Sequence, residues 1–368
     1  MIINDNDKIS SFQCFVLLVS VMIGIGIMFM PASVAKASEQ NGWFVVMLGG
    51  ILSFLVFLLI FRVTMINPDL TIIELLNKAF GKILGTVLSF IYVVYFVIFS
   101  AFETRLIAET AKEFLFTLTP NEVLIISFLF TCAYISRYGI EVIARMCEVL
   151  MPGIVLIIIV LSFFVYQRLD FSNLLPVLNI PFTKLIKGIG TTIFSFLGFE
   201  VFLFFMPYVR RKDKLIKSAF FGFLVTILLY EVIVIFATAD FGSKVVQTMV
   251  WPTLNLFRDV TVLEIVIERP ESIVVSLWMI TTYTTEIIFL MTTGLILARI
   301  FNTKEHNFFV FIQLPFIYIL SLIPQNIVET QRFMDYFSYF FASFTVLLLP
   351  LITFVTLSIK KKVKKYET

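Results

Sequence analysis

The residues that carry most enzymatic chemistry are scarce in this 368-residue sequence, which has one histidine, His306, and three cysteines, Cys14, Cys132 and Cys147. One histidine excludes a histidine-based metal cluster. The cysteines lie in or beside apolar runs without CxxC spacing and read as buried thiols, not redox or metal-binding groups. No phosphate-binding loop and no GxSxG elbow occurs. The expectation is therefore a non-enzyme with no catalytic residue, no cofactor and no metal site. Charge is also scarce, at 14% of residues, against roughly 25% in soluble domains. Apolar residues make up 60% of the chain, and 44 residues are phenylalanine. Mean hydropathy is +1.00. The surplus runs from Phe12 to Ile359, which excludes one buried core inside a soluble shell. Lipid is the solvent such a surface calls for.

Stretches long enough to cross about 30 Å of hydrocarbon predict ten spans. They are Phe12–Met30, Trp43–Phe61, Ile83–Phe102, Asn121–Tyr138, Val149–Tyr166, Leu185–Phe205, Leu215–Phe236, Ile273–Leu297, Phe308–Ile323 and Phe333–Ile359. The first follows a weakly charged start and lacks an A-x-A cleavage site, so it counts as a span and not as a signal peptide. An inside N-terminus places most Lys and Arg on the inner side, led by Arg210, Arg211, Lys212 and Lys214 and by the Lys360–Lys365 tail. Both termini are expected in the cytoplasm. The basic tail suits anionic lipid headgroups better than nucleic acid.

Glycine and proline interrupt two spans at corresponding places. Span one contains Gly24, Ile25 and Gly26 followed by Pro31; span six contains Gly198 followed by Pro207. Five spans separate them, so the second half enters the membrane from the opposite side. This predicts one transmembrane domain over residues 1–368, built as inverted repeats of about 9–167 and 183–359. A short segment follows the second span of each half, Asn67–Lys78 and Trp251–Asp259, each suited to an interfacial helix. Small residues also serve close helix packing, and that reading stands beside a binding-site reading. Paired interrupted spans point to a transporter-type site, because free backbone groups in hydrocarbon need a cavity or a ligand. Half-helix N-termini favour a carboxylate, which makes a small zwitterion the natural ligand class.

An ordered set of motifs resembles the B-subunit family of spore germinant receptors, permeases of the amino acid–polyamine–organocation superfamily. The set comprises Gly24–Pro31 with Asn41–Trp43, Ser100–Arg105, Thr119-Pro120, Ser195–Glu200, Trp251–Thr253 and Ile267–Glu271. Pro270 departs from the aromatic expected in the last motif. The resemblance spans essentially the whole chain and implies an all-α, ten-helix fold of the LeuT type with broken helices 1 and 6. It implies sensing of nutrient germinants, such as amino acids, in the spore inner membrane, beside an A subunit and a lipoprotein C subunit.

The expected ligand contacts are Gly24, Ile25 and Gly26 in the first break and Leu197, Gly198 and Glu200 in the second. Tyr95 and Phe99 share a face of span three, and Thr284 and Thr285 match the family's hydroxyl pair on span eight. Glu200 sits in the second break, where it serves either a ligand or the free backbone N–H groups. The two threonines equally suit back-bonding to their own helix. Glu103, Arg105 and Glu109 are expected near the outer end of span three as an ion-pair network, with Arg105 and Glu109 partnered. Glu231 and Glu286 are intramembrane carboxylates without a nameable partner. Three functions remain open: a receptor subunit, an autonomous proton- or sodium-coupled amino-acid transporter, and a subunit of a ligand-gated ion pathway. Span five lacks the lysine that some proton-coupled relatives carry, which favours the sensor.

Overall fold

A computed structural model describes residues 8–24, 26–258 and 270–366. Ile25 and most of the Ile267–Glu271 motif lie outside the described residues. The described chain is helical nearly throughout. Helix α1, Ser11–Ile23, begins with a capping box in which Ser10 Oγ accepts from Gln13 N and the Gln13 side chain accepts from Ser10 N. Two orphan donors are satisfied before the chain enters its apolar run. Helix α2, Gly26–Ser38, carries Pro31 in its interior, so no backbone N–H reaches back to Ile27 O and that carbonyl is left for another donor. Then come α3 (Gly42–Thr64), α4 (Ile72–Phe80), α5 (Lys82–Phe114), α6 (Asn121–Ser136) and α7 (Ile140–Val165).

The second half opens with α8, Phe182–Ser195, and continues after a break through short helical turns that include α9, Phe202–Phe205. Next are α10 (Leu215–Phe241), α11 (Ser243–Val246), α12 (Pro252–Arg258) and α13 (Pro270–Ile300). The chain ends with α14 (Asn307–Ile312), α15 (Leu314–Leu322), α16 (Ile327–Phe337), a π-helical stretch over Ser338–Leu348 and α17 (Leu349–Tyr366).

Six helical runs are long and apolar enough to cross a membrane, and a seventh counts when α8 and Phe199–Tyr208, bent by 57°, are taken together. Shorter apolar helices cover Ser11–Ile23, Asn121–Ser136 and Asn307–Leu322. Span three extends to Phe114 instead of ending at Phe102, because Ala108, Ala111 and their neighbours keep one face buried. Glu103 and Arg105 therefore lie inside a packed helix, not at its edge. The last helix starts at Ile327, one turn and more before the expected Phe333; Asn326 caps it by accepting from Glu329 N at 2.9 Å. Both expected interfacial segments are helical but packed inward. Leu75 and Leu76 on α4, and Leu254 and Leu256 on α12, are buried.

Helix α1 runs through the middle against α7, α10 and α13, while α2 lies along α8 and α5 lies along α13. Phenylalanines fill the spaces: Phe57 meets Phe199, Phe202 and Phe223 with ring centroids 6.3, 5.9 and 5.8 Å apart. The outward faces are apolar as well, with Ile83, Val149, Phe163 and Phe340 well exposed. An apolar exterior of this extent belongs to lipid, and the chain is a multi-pass membrane protein.

Candidate functional site

Each helix break leaves backbone groups that the helix itself cannot pair. At the first break these groups are carbonyls, and side chains from three other elements reach them. Tyr230 on α10 donates to Met22 O, Trp278 on α13 donates its indole N–H to Gly24 O at 2.9 Å, and Thr253 on α12 donates to Ile27 O at 2.6 Å. Thr285 on α13 donates to Ser20 O at 3.2 Å. At the second break Gly198 adopts φ +117, a conformation that L side chains rarely take. Its N–H donates to Glu200 Oε2 at 2.8 Å, while Tyr95 Oη donates to Glu200 Oε1 at 2.6 Å. The single Tyr230 proton is shared with Ser195 O, 2.8 Å from the hydroxyl. One hydroxyl thus spans both breaks.

The glycines mark close approaches. A Cβ on Gly26 would stand 2.4 Å from Tyr230 Oη and 2.5 Å from Ser195 O. On Gly198 it would stand 2.6 Å from Val21 O, so the second break rests directly on α1. Gly24 faces the opposite way: its Cβ would meet Thr285 Oγ1 at 2.7 Å and Glu103 Oε1 at 3.2 Å.

The expected residues therefore form two groups. Tyr95, Phe99, Gly198 and Glu200 adjoin one another, with Tyr95 and Phe99 ring centroids 6.0 Å apart and Leu197 buried in the same unwound turn. Gly24 and Thr285 form the other group, joined by Glu103. Thr284 bonds only within its own helix, to Thr281 O at 2.7 Å. Ile25 lies outside the described residues. Phe337 and Phe341 stack on Tyr95 at 5.6 and 6.3 Å and were not foreseen; nor were Tyr230, Trp278 and Thr253. The Trp251–Thr253 motif was in plain sight, but only packing shows that its threonine serves the first break.

Arg105 pairs with Glu109 at 2.6 Å and reaches Gln325 O at 3.3 Å. Glu103 takes no part in that network. Both its oxygens are buried without a partner among the described residues, as are those of Glu286. Of two clefts, one touches the site and one stands apart. A cavity of about 30 Å³ adjoins the first break, lined by Ile23, Ile27, Thr253 and Trp278 among others. A cleft of about 620 Å³ lies at the other end of α1, beside Lys8, Asp69 and Lys212. That larger space is an open, charged seam where Ile9 pairs with Val209, and the breaks do not line it.

Residues 8–330 match the family described as "Spore germination protein". Similar curated proteins include spore germination protein A2 of Bacillus subtilis (strain 168), 29% identical over 97% of both chains. Another is spore germination protein GerLB of Bacillus cereus, 25% identical over 99% of this chain and 98% of that one. Two solved transporters share the fold at a TM-score of 0.71. MhsT in complex with L-phenylalanine is 14% identical, covering 94% of this chain and 88% of that one. Mhp1, a nucleobase-cation-symport-1 family transporter with bromovinylhydantoin bound, is 13% identical, covering 95% and 78%. With a family match over most of its length and a LeuT-like transporter fold, the chain belongs to the spore germination permeases, the B-subunit family of germinant receptors.

Proposed function

We propose that this protein is the nutrient-sensing subunit of a germinant receptor in the spore inner membrane. It binds a small solute, an amino acid by preference, at the facing helix breaks, and its rearrangement is read by an A subunit and a lipoprotein C subunit. The observation that carries this reading is the Tyr230 hydroxyl bonded to both Met22 O and Ser195 O. Binding at either break alters the partner of the other, so a ligand with different affinity for two arrangements shifts their populations. Ligand contacts are assigned to Gly24, Ile25, Gly26, Tyr95, Phe99, Leu197, Gly198, Glu200 and Thr285, while Thr284, the other half of the expected hydroxyl pair, turns back onto Thr281 O. A related fold holding L-phenylalanine supports the amino-acid class.

The topology that accompanies this reading has ten spans in two inverted repeats, with both termini cytoplasmic. The run Gly26–Thr64 passes as one apolar stretch of 39 residues, about 58 Å if straight, far more than one crossing needs. It turns at Glu39, where φ is +54, and α2 packs back on α3. Cysteines introduced at Lys214 and Lys244 should label from opposite sides; labelling from one side refutes the topology.

An autonomous transporter is the second reading, favoured by the transporter neighbours. Reconstitution of the purified chain alone separates the two. Binding of radiolabelled L-amino acids without uptake supports the sensor. Uptake driven by a proton or sodium gradient supports the transporter. Absence of both removes the proposed site.

A further inference from the structure

Among the described residues, Glu103, Glu231 and Glu286 have buried carboxylate oxygens without a partner, and the first and last of these lie on helices that pack together. Glu103 on α5 and Glu286 on α13 are each 0% exposed, and none of their four carboxylate oxygens has a hydrogen-bond partner among the described residues. Packing of α5 along α13 brings the two within electrostatic reach of each other. The nearest cation in sequence, Arg105, is committed elsewhere, to Glu109 and Gln325 O. Two bare carboxylates that feel each other's field in a dry interior are strongly unfavourable. Like-charged carboxylates at short range do not both stay ionised unless a positive charge joins them.

The surroundings indicate what joins them. Ser100 lies beside Glu286, and its hydroxyl, on a residue 1% exposed, has no partner within hydrogen-bond geometry. Across Gly24, Thr285 Oγ1 faces Glu103 Oε1, and the two bonds Thr285 makes, to Ser20 O and Thr281 O, are both long at 3.2 Å. The donors are all oxygens, which suits a hard cation. Counting both oxygens of each carboxylate, the two side chains and two hydroxyls supply six, the fewest that Ca²⁺ takes, so Ca²⁺ bound in place of Na⁺ or a proton would overturn a monovalent assignment. The other titratable groups facing the pair are thiols: Cys132 on α6 is within reach of both carboxylates. Cys147 on α7 sits beside Ser20. Helix α1 contributes Ser20 and Gly24 and no ionisable group.

We infer that Glu103 and Glu286 together hold one exchangeable monovalent cation, a proton or a sodium ion, immediately behind the first helix break. Loading is coupled to that break through two contacts. Glu103 presses on Gly24, and Trp278, two turns before Glu286 on α13, holds the Gly24 carbonyl. The inference holds whether the solute is sensed or carried.

The test uses the purified full chain in lipid nanodiscs, with protons and Na⁺ as the probes and choline replacing Na⁺ in controls. Infrared difference spectra across a pH series should show a protonated-carboxyl band that is lost in both Glu103→Gln and Glu286→Gln. Binding of radioactive Na⁺ at one per chain, abolished by either substitution, assigns sodium as the occupant. A band indifferent to Na⁺, with no Na⁺ bound, assigns the proton. Fluorescence of Trp278, isolated by comparison with Trp278→Phe, should change with the same titration. Should a Gln variant fail to accumulate, Ser100→Ala, which removes no charge, must shift the band's midpoint or the Na⁺ affinity. Spectra and Na⁺ binding unchanged in every variant overturn the inference.

Discussion

The two helix breaks look alike in sequence and are held in opposite ways. The second break is largely self-contained. Glu200, two residues beyond Gly198, accepts the free N–H, and Tyr95 then locks the carboxylate. The first break has no such side chain of its own. Its free carbonyls depend on Tyr230, Thr253, Trp278 and Thr285, each more than 200 residues away in sequence. A break satisfied locally keeps its shape when neighbours move. A break satisfied by three separate elements reports the position of each. The first break is therefore expected to follow its neighbours and the second to serve as the frame, and substitutions should separate the two.

The largest effects fall where backbone meets backbone. Gly26→Leu and Gly198→Leu should remove the protein from the membrane, because a side chain at either site collides with a main-chain oxygen at about the distances a Cβ would have, 2.5 and 2.6 Å. Gly24→Ala differs, since its close contact is the end of a threonine side chain at 2.7 Å, which can rotate away. It should leave abundance near the parent and weaken the response to nutrient. Immunoblots of spore membranes beside germination assays decide this; normal abundance for Gly26→Leu would show that the close packing around Tyr230 is dispensable.

Next in size is the frame. Glu200→Ala leaves a buried N–H and a buried phenol without acceptors, at about 1–3 kcal/mol for each group. Thermal unfolding in detergent should reveal that loss. Glu109→Gln, which keeps an oxygen acceptor for Arg105 in a pair whose side chains are 7% and 22% exposed, should cost less. Equal melting temperatures for the two variants would mean that water replaces Glu200 and that the second break is not self-contained.

How much of this was legible beforehand depended on range in sequence. The breaks announced themselves through Gly24, Gly26, Gly198 and Pro31, since backbone freedom is a local property. Arg105 and Glu109, four apart on one helix, were paired correctly from spacing alone. The partners of the first break were not legible, because nothing near Met22 or Gly24 says which tyrosine or tryptophan will fold against them. Glu103 was assigned to the Arg105 network on proximity in sequence. The helix turns it toward α13 instead, where Glu286 lies. The span-eight threonines show the limit plainly: adjacent and chemically identical, they differ only in the direction each points.

That direction gives a sharper test. Thr284 bonds only to Thr281 O, whereas Thr285 also reaches Ser20 O on α1. Back-bonding within a helix carries no signal between helices. Thr285→Val should shift the nutrient dose–response curve at normal abundance, and Thr284→Val should leave it superimposed on the parent. The reverse order would transfer the ligand role to Thr284 and detach Thr285 from the first break.

The smallest effect belongs to the ion pair that links the two broken spans at the ends away from their breaks. Lys184 on α8 donates to Glu39, just beyond α2, at 2.5 Å. That hydrogen bond, and the lysine's charge, hold the Glu39 carboxyl below its ordinary range. A lowered carboxyl contributes stability above the unfolded carboxylate range and loses it as pH falls through the folded value. Any advantage of the parent over Glu39→Gln should therefore be present at neutral pH and vanish on acidification. Both side chains are about half exposed, at 48% and 51%, so water and salt screen the pair. Melting curves should differ little at physiological ionic strength and coincide at high salt. A large difference that survives both acid and salt would show that Glu39 fixes the turn between α2 and α3 by some means other than its charge. Its φ of +54 offers the place to look, and Glu39→Gly would then stabilise the turn that Glu39→Gln does not.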